Sequence, residues 1–381
     1  MTEQKNKAGL EGMVAGQSSI AQVTQTSLRY RGYDIDDLAR NASFEEVAHL
    51  LLHGELPSQG QLKSFRARII ASMTLPPPVI RAIKDMPASI PPMDMLRSAV
   101  SLLGHYDSDA QDGSHESNLR KSERLLGQIP TAVGLWCQIV SKVPRIEPDP
   151  SLSLGANLLN MMLGKKAGPL AGRVMDGTLI LYAEHDFNAS TFTARVIAST
   201  LSDLHAAVTG AIGALKGPLH GGANEAAMKQ FLDIGTADNV EKWFQDLQDH
   251  NAKNPNNKKL IMGFGHRVYK HGDHRAALVR EWSIELSKET GQKQWIDMAD
   301  RLQALMLREK NIHPNLDYPA AHAYYQMGIP IDLFTPIFVC SRVSGWCAHI
   351  MEQTENNRII RPLSDYAGPP LRKVVPLAQR G

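Results

Sequence analysis

The chain has 381 residues, with 41 Lys and Arg against 39 Asp and Glu, a hydrophobic fraction of 43% and a charged fraction of 21%. These proportions exclude a disordered, collagenous or coiled-coil chain, and the interspersed charges give no basic stripe for a phosphate backbone, so nucleic acid is not expected as a partner. Three cysteines, no charged-then-apolar leader and no apolar run of roughly 18 to 20 residues argue against a disulfide framework, secretion and a membrane span, and the expectation is a soluble cytoplasmic protein of one large domain or two.

In chain order, residues 9–23 mix glycine with short β-branched pieces that predict one or two small strands. Ser43 and Glu46 then fit a capping box, with Phe44, Val47, Leu50 and Leu51 forming an apolar stripe and Gly54 and Pro57 marking its stop. Similar helical periodicity recurs at 78–85, 95–103, 124–143, 156–162, 192–212 and 223–232. It continues at 240–250, 275–290, 295–308, 320–327 and 333–352, so the fold class predicted from the pattern is mainly α. Residues 190–214 are rich in Ala, Ser, Thr and Gly, which suits a helix packed closely in the core or at a subunit interface. Residues 249–259 and the end from Pro369 onward are turn-rich and polar, as linkers or tails are.

Four segments place reactive side chains beside glycine or proline: GPLHGGANE at 217–225, GFGHRVYK at 263–270 and on to Arg275, NLDYP at 315–319, and RIIRP at 358–362. His220 precedes a helical pattern starting near Ala223. The positive end of that helix disfavours an imidazolium, so a neutral His220 can donate to a developing enolate oxygen, or can simply be satisfied by loop backbone. The GFGH stretch lacks the preceding strand and third glycine of a dinucleotide fingerprint. His266, His271, His274 and Asp273 match no metal-ligand spacing, and no metal is expected. Arg342 sits one turn from Phe338 and Trp346 on an apolar stripe, where a guanidinium needs an anion: Asp332, Glu352 or a ligand. Arg361, between Ile360 and Pro362, poses the same choice.

Together with MGIP, FTPIFV and IIRP in the same order and spacing, these motifs resemble the citrate synthase family, in its short dimeric branch of citrate synthases and 2-methylcitrate synthases. The resemblance implies an all-α fold with a large domain from residues 1–220 and 323–381 and a smaller mobile domain from 221–322. It implies condensation of acetyl-CoA with oxaloacetate and water to citrate and CoA, or of propionyl-CoA to 2-methylcitrate. It implies small-molecule substrates, a homodimer as the unit, and no cofactor beyond the acyl-CoA co-substrate. Motif by motif, His220, His266 and Asp317 match the catalytic set. His185, Arg275, Arg342 and Arg361 match oxaloacetate ligands, Arg361 reaching across from the partner subunit. Ile261, Gly263, Gly265 and Lys270 match CoA-binding positions. The family usually has proline where this chain has His274, which bears on the stiffness of the loop before Arg275. Domain closure driven by oxaloacetate is expected, because water must be kept from the acyl-CoA.

Overall fold

In the computed structural model, which describes residues 9, 12–266 and 268–380, three short antiparallel strands precede the helices. They are β1 (Ala21–Val23), β2 (Leu28–Tyr30) and β3 (Tyr33–Asp34), paired in that order with Ala21 opposite Tyr30 and Arg29 opposite Asp34. Leu28 and Tyr30 point into the core while Arg29 faces out, the alternation a half-buried strand requires.

Sixteen α-helices follow among the described residues. The first eight are α1 (Ile35–Asn41), α2 (Phe44–His53), α3 (Gln59–Ala71), α4 (Pro77–Asp85), α5 (Pro92–His105), α6 (His115–Val140), α7 (Leu154–Leu163) and α8 (Pro169–Tyr182). The rest are α9 (Ala189–Ala198), α10 (Leu204–Leu215), α11 (Ala223–Ile234), α12 (Val240–Lys253), α13 (His274–Thr290), α14 (Gln294–Lys310), α15 (Asp317–Gln326) and α16 (Phe334–Glu355). The chain is all-α apart from its small sheet. None of the described helices is long and apolar enough to cross a membrane.

The capping box is present as predicted: the Glu46 backbone N–H donates to Ser43 Oγ while the Ser43 backbone N–H donates to Glu46 Oε2, and Gly54 closes α2 in the left-handed region at φ 89°. The single helix predicted at 192–212 is instead two. Leu201 adopts φ 64° and Asp203 caps a new start by accepting from the Ala206 N–H, so the chain turns back and α9 packs on α10. A Cβ at Gly210 would lie 2.2 Å from Ile197 Cδ1, which is the close approach that the small residues permit.

Three helices lacked a readable period. Helix α1 is only seven residues long, α3 buries only Phe65 and Ile69, and α8 is apolar on nearly all faces. Helix α6 starts at His115, nine residues before its apolar pattern, because Ser114 caps it. Helix α16 is buried along almost its whole length and packs against α2, α5, α6, α8, α9, α10 and α11, making it the axis of the core. Around its Phe338 and Arg342, the C-terminal end of α8 and the N-terminal ends of α9, α11, α13 and α15 come together.

Candidate active site

The converging helix ends enclose a cavity of about 310 Å³ lined by His185, His220, Gly265, His266, Arg275, Asp317 and Arg342, with Tyr182, Asp273, Asn315 and Phe338 among its other walls. The structure thus brings together side chains from five separate stretches of sequence. Asp317 is the first residue of α15. Burial raises its carboxyl to about 6, against the opposing pull of a hydrogen bond from Tyr182 and of the Arg275 guanidinium. Tyr182 Oη donates to Asp317 Oδ1 at 2.7 Å, so Oδ2 is the oxygen free of that bond.

Both flanking imidazoles are neutral. His220 is depressed to about 4, by burial first and the nearby Arg342 charge second. Its Nε2 lies 2.8 Å from Ser190 Oγ and 3.3 Å from the Ser190 backbone nitrogen, which fixes the ring against the start of α9. His266 is also held near 4, by burial and then by Arg275. Its Nδ1 accepts from the backbone N–H groups of Val268 and Tyr269 at 3.0 and 3.2 Å, leaving Nε2 as the N–H donor. The site therefore offers one partly basic carboxylate and two uncharged donors, the equipment for moving a proton from carbon and stabilising oxyanions.

The cationic groups stand beside them. Arg342 is 2% exposed, and burial lowers its guanidinium from the usual value. Its Nε donates to the Tyr182 carbonyl at 2.6 Å, and its Nη1 is buried with no acceptor among the described residues. Neither Asp332 nor Glu352 pairs with it: Glu352 binds Arg195 at 2.7 Å, and the carboxylate that acts on Arg342 is that of Glu184. Arg275 lies 5.5 Å over the Tyr269 ring and forms a two-pronged pair with Asp273. Asp273 is thus committed to an arginine, and no group of three or more His, Cys, Asp or Glu among the described residues is placed to hold a metal. The ring of His185 stands 5.1 Å from that of His266, and its Nε2 is 3.0 Å from Tyr269 Oη. Burial, followed by Arg275, keeps it far below the usual histidine value.

A second cavity of about 670 Å³ adjoins the first, sharing Leu219, Ala223, Gly265 and Asn315 with it. Ile261, Gly263 and Gly265 line it, with Lys258, Lys259 and Lys310 among its other walls. Gly263 has φ 81°, and a Cβ there would lie 2.9 Å from the Tyr318 side chain, so the loop can lie flat on α15 only with glycine. Two of the expected residues line neither cavity. Lys270 is exposed and its Nζ donates to the His266 carbonyl at 3.2 Å; Arg361 is exposed on the segment following α16.

Several site residues escaped the sequence reading. Tyr182 stood in an apolar run with no local mark of chemistry, and Glu184 gave no sign of being fully buried near Arg342. Asn315 lay inside a quoted motif without a role. Its amide donates to the Gly265 carbonyl, its backbone N–H to the Gly263 carbonyl, and its Oδ1 accepts from the Asp317 N–H, tying the His266 loop to the start of α15.

Comparison with known proteins places the chain in a family. The model of the citrate synthase C-terminal domain family matches residues 9–363. Citrate synthase 2 of Bacillus subtilis is 44% identical over 373 residues, covering 98% of both chains. The 2-methylcitrate synthase of Shewanella oneidensis is 45% identical over 376 residues, again covering 98% of each. Among solved structures, citrate synthase from Pyrobaculum aerophilum superposes with a TM-score of 0.88 at 38% identity, covering 98% of this chain and 95% of that one. A ternary complex of Thermoplasma acidophilum citrate synthase with carboxymethyl coenzyme A and oxaloacetate gives 0.90 at 34% identity, covering 98% of each. With a family model spanning nearly the whole chain and relatives well above a third identical along their full length, the chain belongs to the citrate synthase family and is an enzyme of the condensing type.

Proposed function

We propose that this enzyme condenses acetyl-CoA with oxaloacetate and water to give citrate and CoA, with Asp317 as base and His220 and His266 as neutral hydrogen-bond donors. The observation that carries the assignment is the convergence of those three groups on one cavity that also holds Arg275, Arg342 and His185. An acyl-CoA α-carbon is a weak acid, so a carboxylate can deprotonate it only where the enolate oxygen is stabilised as its charge forms. The Asp317 oxygen not engaged by Tyr182 takes the proton, and His220 donates to the enolate oxygen. The enol carbon then attacks the keto carbon of oxaloacetate, whose oxygen receives the hydrogen of His266 Nε2. Arg275, Arg342 and His185, with Arg361 of the partner subunit, hold the two carboxylates. Water next cleaves the thioester, and CoA leaves as its thiol. No step is assigned to a metal or redox group.

In this reading the adjoining cavity takes CoA, with Ile261, Gly263 and Gly265 along the adenine and Lys259 and Lys310 offering charge to phosphates. Residues 221–322 form the small domain that closes on the large one, the working unit is a homodimer, and the enzyme acts in the cytoplasm. The second reading, 2-methylcitrate formation from propionyl-CoA, is favoured by the 45% identity to the Shewanella enzyme. One added methylene changes binding by only about 1–3 kcal/mol, so both substrates can be turned over.

CoA release from acetyl-CoA and from propionyl-CoA at saturating oxaloacetate ranks the two. Asp317→Asn tests the mechanism: the variant retains fold and oxaloacetate binding while turnover falls by roughly 10²–10⁴. Near-normal turnover by that variant would remove Asp317 from the role of base.

A further inference from the structure

A smaller chamber, of about 200 Å³, adjoins the catalytic cavity among helices α13, α14 and α15 and shares the Asp273 wall with it. Asp317 opens α15 on the catalytic side, while Tyr318, Pro319 and His322 of the same helix line the chamber. Ala276 of α13 and Ala299 of α14 add small apolar walls. Alanine and proline at these positions leave open a space that larger core side chains would fill. None of the residues matched to oxaloacetate or to CoA lines it.

Two polar groups in the chamber have donors to spare. His322 is 1% exposed, and the rings of Phe231 and Tyr318 meet it edge-on at 5.6 and 6.3 Å. Its Nδ1 lies 2.6 Å from Ser283 Oγ. That hydroxyl accepts from the Gln326 amide at 2.7 Å, and Nδ1 is the acceptor left for its own hydrogen among the described residues, so the ring hydrogen sits on Nε2. Ser283 is outside the chamber wall and His322 is part of it, which puts Nε2 on the chamber side, and no described residue accepts from it. Burial, and then the Arg280 charge, lower the imidazole to about 3, so the ring is a neutral donor.

Arg280 is the second group. Its Nε and Nη2 both donate to the one oxygen Asp300 Oδ1, at 3.1 and 2.6 Å, so three of its five guanidinium hydrogens are uncommitted. The other carboxylate at hand, Asp273, is already engaged by Arg275 and by the Leu316 N–H. A buried neutral N–H and a half-exposed guanidinium beside apolar walls therefore ask for one anionic group on a compact hydrocarbon body.

We propose that this chamber is a second ligand site, which takes a small monocarboxylate: its oxygens on Arg280 and on the His322 Nε2–H, its hydrocarbon against Ala276, Ala299 and Tyr318. A dicarboxylate is a poor fit, because its second charge would be buried among alanines without a donor. CoA is far too large for the space.

The probe is 4-fluorobenzoate, titrated into the full-length protein and followed through its fluorine line width. A dissociation constant of about 1 mM or tighter is expected for a ligand of this size. The uncharged 4-fluorobenzamide should bind at least about 5-fold more weakly, and Arg280→Gln and His322→Leu should each weaken the benzoate by at least about 5-fold. Absence of broadening well beyond the expected concentration overturns the proposal. So does benzoate binding that both variants leave within about 2-fold, which would put the probe on the arginines of the catalytic cavity. Equal affinity for the amide would overturn the recognition of a carboxylate. Where His322→Leu does not fold, Arg280→Gln, at a half-exposed position, decides alone. The readout is binding and not CoA release, so failure here leaves the condensation reading standing.

Discussion

The Tyr182 phenol donates to Asp317 at 2.7 Å while the Tyr182 carbonyl accepts from Arg342 at 2.6 Å, so one residue holds both the base and an anion-binding arginine. Burial raises the carboxyl of Asp317 to about 6, and the phenol opposes that rise. The working form is the carboxylate, so activity is present above this value and lost as pH falls through it. The kcat/KM profile for acyl-CoA should show a single-proton acid limb near pH 6, and in Tyr182→Phe the limb should move upward, with turnover lower by roughly 10-fold. A limb that stays in place in the variant would show that the phenol does not tune the base.

Arg342 has a buried Nη1 with no acceptor among the described residues, so a ligand carboxylate there gains bonds that those residues do not already supply. Hydrogen bonds to charged groups are worth about 1.5–3 kcal/mol each, and Arg342→Leu should weaken oxaloacetate binding by roughly 10- to 150-fold. Isothermal titration with oxaloacetate measures this; an unaltered dissociation constant would place the keto acid elsewhere.

Lys310 Nζ donates to the neutral Gln248 Oε1 at 3.0 Å, on the wall of the larger cavity. Reversing the charge with Lys310→Glu should raise KM for acyl-CoA by roughly 5- to 10-fold while KM for oxaloacetate stays within about 2-fold. The effect should shrink above about 0.5 M salt, where exposed charges are screened. Steady-state kinetics at two ionic strengths would expose a wrong assignment through equal shifts in both KM values.

Ser43 and Glu46 bond reciprocally at the start of α2, which is buried on most of its surface. Ser43→Ala should lower stability by about 1 kcal/mol without changing kcat. The midpoint of urea unfolding reads the first quantity and CoA release the second.

Much of this was legible in the order of residues. The capping box at Ser43, the helical stripes and the reactive motifs around His220, His266 and Asp317 all carry local signals: a hydroxyl three residues before a carboxylate, a repeat near 3.6, glycines beside imidazoles. What escaped depends on long-range contact. The partner of Arg342 could not be read from its own helix, because the groups that meet it, Tyr182 at the end of α8 and Glu184 just after it, lie some 160 positions earlier. The joint at Leu201 was hidden because small residues continue through it with helical composition, and only the cap at Asp203 distinguishes two helices from one. Asp273 read as one acid among histidines until its geometry paired it with Arg275.

Helix α16 is at once the spine around which the other helices assemble and the bearer of Arg342. A protein built this way has no loosened form that still works: whatever melts the spine also empties the anion pocket. Heat inactivation and loss of helical circular dichroism should therefore follow one curve, and residual activity after heating should count the molecules that remain wholly folded.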